Sequence, residues 1–267
     1  MTREEAIATF NINISGNDSS VMLFAHGFGC DQNMWRFLAP DFEKDFKTVL
    51  FDLMGCGQSD ISRYQPDRYN SLDGHADDLL KICDALQLKN ITLVAHSVSA
   101  MIGVIASLKR PELFKEFIMI CPSPCYLNEE GYNGGFHKED IESLLVQMEN
   151  NYLGWATSMS PVIMNNSGEL VFEEELSESF CRNNPEIAKQ FARVTFLSDN
   201  RKDILNIVTR TLIIQCREDI VAPPEVGQYL HKRIPDNEMA VIDVIGHCPH
   251  LSAPRETSKA MRSFLFN

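Results

Sequence analysis

Ser97 stands where a run with the pattern of a strand meets a run with the pattern of a helix, and this junction constrains the fold more than any other stretch of the chain. Ile91 to Ala95 is β-branched and apolar, as a buried strand requires, and Val98 to Leu108 reads as an apolar helix. A serine on the sharp turn between them is lifted out of the core at the carboxyl end of a strand. The usual form of such a turn is Gly-x-Ser-x-Gly, because the backbone presses the residues two before and two after the serine against neighbouring chain. Here those places hold Ala95 and Ser99, the smallest residues after glycine. Taken alone, a small-x-Ser-x-small run also describes ordinary helix-start packing with Ser97 as an N-cap. The rest of the chain has to decide.

Short apolar strand candidates alternate with longer helical patterns: Val21 to Ala25, Thr48 to Phe51, Ile91 to Ala95, Phe117 to Cys121, Thr211 to Cys216 and Met239 to Val244, with Ile7 to Ile14 a weaker one at the start. This alternation predicts an α/β fold with a mostly parallel sheet covered by helices on both faces, and ligands beyond the carboxyl ends of its strands. It breaks between Tyr126 and Asn200, where Ile141, Leu144, Leu145, Met148 and Tyr152, then Phe172, Leu176 and Phe180, then Ile187, Phe191, Val194 and Leu197 recur at helical spacing. The chain of 267 residues therefore reads as one core, residues 1–125 and 201–267, with a helical insertion after the sixth strand, residues 126–200.

A formal net charge of −13 excludes the basic patch that nucleic acid or an anionic membrane surface would need. The N-terminal Met1-Thr-Arg-Glu-Glu-Ala has neither the charge nor the apolar run of a targeting peptide, and no stretch has the length of a membrane span, so a cytoplasmic protein is expected. The eight cysteines occur singly, as reduced thiols would. His247-Cys-Pro-His250 lacks the second ligand pair of a zinc site, and no metal is expected. Asp52-Leu-Met-Gly55-Cys-Gly57-Gln-Ser59 has neither the third glycine of a dinucleotide fingerprint nor the Gly-Lys-Ser of a phosphate loop, so no cofactor is expected either.

Four loops follow strand candidates. They are His26-Gly-Phe-Gly-Cys-Asp31, which can present an N–H to an oxyanion, the run Asp52 to Ser59, the run Arg217 to Pro223 with the carboxylate Asp219, and His247 after Gly246, and they join the elbow at Ser97. A carboxylate at a strand end often caps a helix, and a lone histidine often satisfies a loop. The chain order Ser, Asp, His, each at the carboxyl edge of a different strand, is what a nucleophile-elbow hydrolase requires.

His26-Gly-Phe-Gly, Asp52 to Ser59, the Ser97 elbow and the Asp219 and His247 loops resemble the α/β-hydrolase superfamily. Gly27-Phe-Gly-Cys-Asp-Gln32, Arg110-Pro-Glu-Leu-Phe114, Pro122-Ser-Pro-Cys-Tyr-Leu-Asn128, Asn151-Tyr-Leu-Gly-Trp-Ala-Thr157 and Gly246-His-Cys-Pro-His-Leu-Ser252 resemble, more narrowly, the RsbQ-like group of stress-response regulator hydrolases, to which the strigolactone and karrikin receptors also belong. The resemblance implies Ser97 as nucleophile, Asp219 as orienting acid, His247 as base, and the amides of Phe28 and Val98 as oxyanion donors. It implies a four-helix lid over an apolar pocket formed by Phe28, Tyr126, Phe136, Leu144, Trp155, Met159, Phe196, Ile220 and Val221. The expected reaction is hydrolysis of a small hydrophobic ester, lactone or related acyl compound. Two roles are compatible with it: a signalling protein whose partner is a PAS-domain phosphatase, and a metabolic carboxylesterase or carbon–carbon bond hydrolase without a signalling partner.

Overall fold

The computed structural model describes residues 1–16, 20–165 and 170–266. Helix α1 (Arg3–Thr9) precedes β1 (Asn13–Ser15), β2 (Val21–Ala25) and β3 (Lys47–Leu50). Helix α2 (Asp73–Ala85), β4 (Ile91–His96), α3 (Val98–Lys109) and β5 (Phe114–Ile120) follow. Four helices come next, α4 (Lys138–Asn150), α5 (Tyr152–Met164), α6 (Leu170–Arg182) and α7 (Pro185–Phe196). The chain then returns through β6 (Arg210–Glu218), α8 (Pro224–Arg233), β7 (Asn237–Ile245), α9 (Pro249–Ser252) and α10 (Pro254–Phe266).

The strands form one sheet in the order β1-β3-β2-β4-β5-β6-β7, parallel throughout except for β1 at the edge. The apolar runs of β2 and β4 are continuous because both faces of the sheet are covered. Alternation of side chains sorts them: Leu23, Leu93, Phe117 and Met119 pack with α2, α3 and α8, whereas Phe24, Val94, Ile118 and Ile120 pack with Trp35, Phe42 and α10. A third apolar cluster joins α4 to α7 with Cys30, Met34, Cys248 and Leu251 from loops at the carboxyl edge of the sheet.

Two expectations need correction. Ile7 to Ile14 is not a strand: Thr2 and Glu5 form a reciprocal capping box that starts α1, and only Asn13–Ser15 pairs with the sheet. The four-helix segment follows the fifth strand of this chain and not the sixth, because only β1 to β5 come ahead of it. Its stem is pinched where Cys125 bridges Asp199 and the Asn200 amide donates to the Pro124 carbonyl at 2.7 Å.

His75 on α2 is stacked between Tyr69 and Phe191 of α7, with ring centroids 4.8 and 4.6 Å away. Burial, helped by His26 and Arg68, pushes its pKa down to about 3 from an ordinary 6.5. The unfolded chain therefore binds a proton that the folded one refuses, so the stability present above about pH 6.5 is lost as pH falls toward 3. The loss is on the order of 1 kcal/mol per pH unit. Urea unfolding at pH 7 and pH 5 should show a smaller difference for His75→Phe than for the natural protein; an unchanged difference would mean that this imidazole is already protonated in the fold.

Candidate active site

The strand β4 runs into α3 with no connecting residue but Ser97, and the turn forces that residue to φ 55°, ψ −125°. A side chain rarely adopts this backbone, and the cost is borne by bonds on either side. The Ser97 amide donates to the Ile120 carbonyl of β5 and the Ala100 amide to the Ser97 carbonyl, both at 2.9 Å. Ala95 and Ser99 are fully enclosed, which explains why both are small. Ser99 does more than fit, because its hydroxyl donates to the buried His26 carbonyl and ties the start of α3 to the loop after β2.

That loop is fixed from its other end too. His26 donates from Nδ1 to the Gly27 carbonyl at 2.9 Å and accepts from the Leu53 amide at Nε2 at 3.0 Å, so the ring is a defined neutral tautomer. Burial lowers its pKa and keeps it so. The Asp52 carboxylate accepts from the amides of Gln32 and Gln58 and from the Asn11 side chain at 2.8–2.9 Å. The glycine-containing loop after β3 is thus a brace for the loop after β2. Phe28 faces the cleft, and Val98, first residue of α3, has an N–H with no acceptor inside its own helix.

Asp219 follows β6. Its Oδ1 accepts from the Val221 and Ala222 amides at 2.8 and 3.1 Å, which leaves Oδ2 facing His247 Nδ1 at 2.7 Å. His247 follows Gly246, whose φ of 105° and lack of a side chain let the loop pass under α5; a Cβ there would overlap the Met164 carbonyl oxygen. The His247 amide donates to the Ile163 carbonyl at 3.0 Å, and His96 donates from Nε2 to the His247 carbonyl at 2.8 Å. The ring is left with Nε2 at 2.8 Å from Ser97 Oγ. Asp219, His247 and Ser97 are each less than a tenth exposed. Such a chain of bonds can take a proton from the hydroxyl and hold the resulting imidazolium against a carboxylate.

Above Ser97 lies a narrow cleft with a cavity volume of about 50 Å³. Phe28, Tyr126, Phe136 and Leu144 line it as expected, with Trp155, Met159, Phe196 and Val221. Ile220 does not. The two amide bonds to Asp219 turn the loop so that Val221 points inward while Ile220 is 49% exposed. Ile163, Leu176, Phe180 and Thr195 also line it; helical periodicity marked Leu176 and Phe180 as an inward face without placing them at the cleft. Tyr126 OH lies 3.4 Å from Ser97 Oγ, and burial raises its pKa to about 12, so it stands there as a neutral phenol. Three buried polar atoms of lining residues, His96 Nδ1, Trp155 Nε1 and Thr195 Oγ1, have no partner.

The two histidines of the last loop are separated in role. His250 is packed between Trp35 and His96, with tilted rings whose centroids lie 4.6 and 4.4 Å away, and burial drives its pKa to about 3. It does not join His247 in a metal site. Cys121, Asp219 and His247 bring ligand atoms within 4.8 Å of one another, but the carboxylate and imidazole are bonded to each other and burial pushes the Cys121 thiol far up, away from the thiolate a metal needs.

The model of the α/β hydrolase fold family matches residues 20–254. The chain is 35% identical to the strigolactone esterase of Arabidopsis thaliana over 99% of both chains. It is 36% identical to karrikin insensitive 2 receptor CA of Petunia hybrida over 91% of each. Among solved structures, a hydrolase from Oleispira antarctica superposes with a TM-score of 0.97 at 42% identity, covering 100% of this chain and 98% of the other.

The bond from Ser99 to the His26 carbonyl gives a direct test of the elbow. Ser99→Ala leaves a buried acceptor unpaired, which costs about 1–3 kcal/mol. Thermal unfolding should show that loss, and ester hydrolysis should fall with it as the Gly27–Phe28 loop loosens. A variant as stable and active as the natural protein would show that Ser99 is there for its size alone.

Proposed function

The chain belongs to the α/β-hydrolase family, as a hydrolase of the esterase type, and from that premise we propose that Ser97, His247 and Asp219 are its catalytic triad, acting on a small hydrophobic ester, lactone or related acyl compound. The observation that carries this reading is the unbroken relay from Asp219 through His247 to Ser97, with steps of 2.7 and 2.8 Å, beneath an apolar cleft.

A serine hydroxyl is a poor nucleophile at neutral pH. His247 Nε2 takes its proton as Oγ attacks the acyl carbon, and Asp219 Oδ2 fixes the tautomer and favours the imidazolium. The tetrahedral oxyanion lies against the amides of Phe28 and Val98, whose positions are set before substrate arrives. His247 then protonates the leaving group, and water opens the acyl-enzyme by the reverse proton transfers. The four helices α4 to α7, within residues 126–200, act as a lid that keeps water from the ester until it is aligned.

The same reading extends to signalling. The relatives include proteins named as receptors, and exposed apolar side chains stand on this lid at Val146, Leu153, Leu170 and Val171. A cytoplasmic protein that reports its acyl ligand to a PAS-domain phosphatase, as in the RsbQ-like group, fits both facts; a metabolic carboxylesterase needs no such surface. Phosphatase activity should then depend on the hydrolase only while the lid surface is intact, and Val171→Glu should break that control and spare hydrolysis.

Ser97→Ala and His247→Ala should each lower turnover of a p-nitrophenyl ester by on the order of 10⁴ to 10⁶ without unfolding the protein. His250→Phe keeps the ring between Trp35 and His96 and should retain most of the activity. Hydrolysis that survives in folded Ser97→Ala would sink the triad, and a larger loss at His250 than at His247 would reassign the base.

A further inference from the structure

Thr195 differs from three other helical hydroxyls of the chain. Thr157, Ser160 and Thr257 each donate to the carbonyl four residues back, at 2.8–3.0 Å. This is what a serine or threonine inside a helix does when nothing else competes for it. Thr195, in the last turn of α7 and only 2% exposed, makes no such bond to Phe191 and no other. It is also a lining residue of the cleft above Ser97. Of the three hydroxyl-bearing residues in that wall, Ser97 is held by His247 and Tyr126 faces Ser97, which leaves the Thr195 hydroxyl with no task in the free protein.

A buried hydroxyl without a partner is a standing cost, and valine would give the same shape without it. We infer that Thr195 is a specificity-determining residue, and that the preferred substrate is an apolar acyl compound carrying a second oxygen, of ether or carbonyl type, remote from the carbon that Ser97 attacks. An ether or carbonyl oxygen suits the site better than a hydroxyl, because it accepts the Thr195 proton and brings no donor of its own to be satisfied among Phe28, Phe136 and Phe196. A plain hydrocarbon chain would bury itself equally well in the cleft and leave Thr195 unpaired, so the residue discriminates by a penalty on the wrong chain as much as by a bond to the right one. This inference rests on the hydrolase reading above.

The test compares p-nitrophenyl pentanoate with the 3-methoxypropanoate, and the hexanoate with the 4-methoxybutanoate, pairs in which one methylene becomes oxygen. In Thr195→Val, kcat/KM for at least one ether ester should fall about tenfold relative to its alkyl partner. Thr195→Ser, which keeps the hydroxyl, should keep the natural ratio. Taking the ratio between proteins cancels the different intrinsic reactivity of the two esters. Equal ether-to-alkyl ratios in the natural protein and in Thr195→Val, for both pairs, would overturn the inference. Ser97→Ala, run beside them, separates the two failures: if it still hydrolyses these esters, the triad assignment is wrong, whereas silent Ser97→Ala with equal ratios leaves the triad standing and removes only Thr195.

Discussion

Everything at the candidate site depends on the left-handed backbone of Ser97. At φ 55° the residue is out of its preferred regions, and it stays there because β4 and α3 are both locked into the core on either side of it. The strand is covered on both faces and the helix is buried along most of its length, so neither can shift to relax the turn. The Ser97 amide bonds to β5 and the Ser99 hydroxyl to the loop after β2, which converts one strained residue into a junction of three chain segments. Glycine at positions 95 and 99 would ease the crowding, but position 99 would lose its bond.

The sheet supplies distance, and the loops supply aim. Parallel register delivers the ends of β4, β6 and β7 to one edge, since neighbouring strands rise together. Within that frame the imidazole of His247 is fixed at four points: its amide by α5, its carbonyl by His96, Nδ1 by Asp219 and Nε2 by Ser97. Burial keeps His96 and His250 neutral beside it, so His247 has no second cation as a neighbour there. The bond from the His247 amide to the Ile163 carbonyl also couples this residue to α5, a helix of the cover over the cleft.

The apolar cover explains why a carboxylate, an imidazole and a hydroxyl can work together at low exposure. Phe28 packs against the rings of Trp155, Phe180, Phe191 and Phe196, with centroids 5.5–6.3 Å away, so the loop after β2 is tied to three of the four cover helices. In such a dry setting a hydrogen bond is worth more than in water, and an unpaired polar group costs more. The bidentate pair between Arg36 and Glu175, at 2.6 Å, adds a polar tie between α6 and the core.

The sequence alone determined the sheet, the break in it and the order Ser97, Asp219, His247, because each is written in a local pattern: period-two or continuous apolar runs, helical spacing, and turn residues after strand ends. It also set the character of the cleft, whose residues recur at helical spacing between Tyr126 and Asn200. It misread Ile7 to Ile14, where a four-residue capping box outweighed the β-branched pattern and left only Asn13–Ser15 as a strand. Ile220 shows the same limit at a finer scale, since adjacent residues in a loop face opposite ways according to the two amides that Asp219 accepts. Only the tertiary structure decided that Ser99 bonds to His26, that His250 is a packed neutral ring and that Thr195 is left unpaired. The Ser99 bond and the His250 ring contacts join residues far apart in the chain, and whether Thr195 is paired depends on what surrounds it in the fold; these are three-dimensional distances that no run of neighbouring letters encodes.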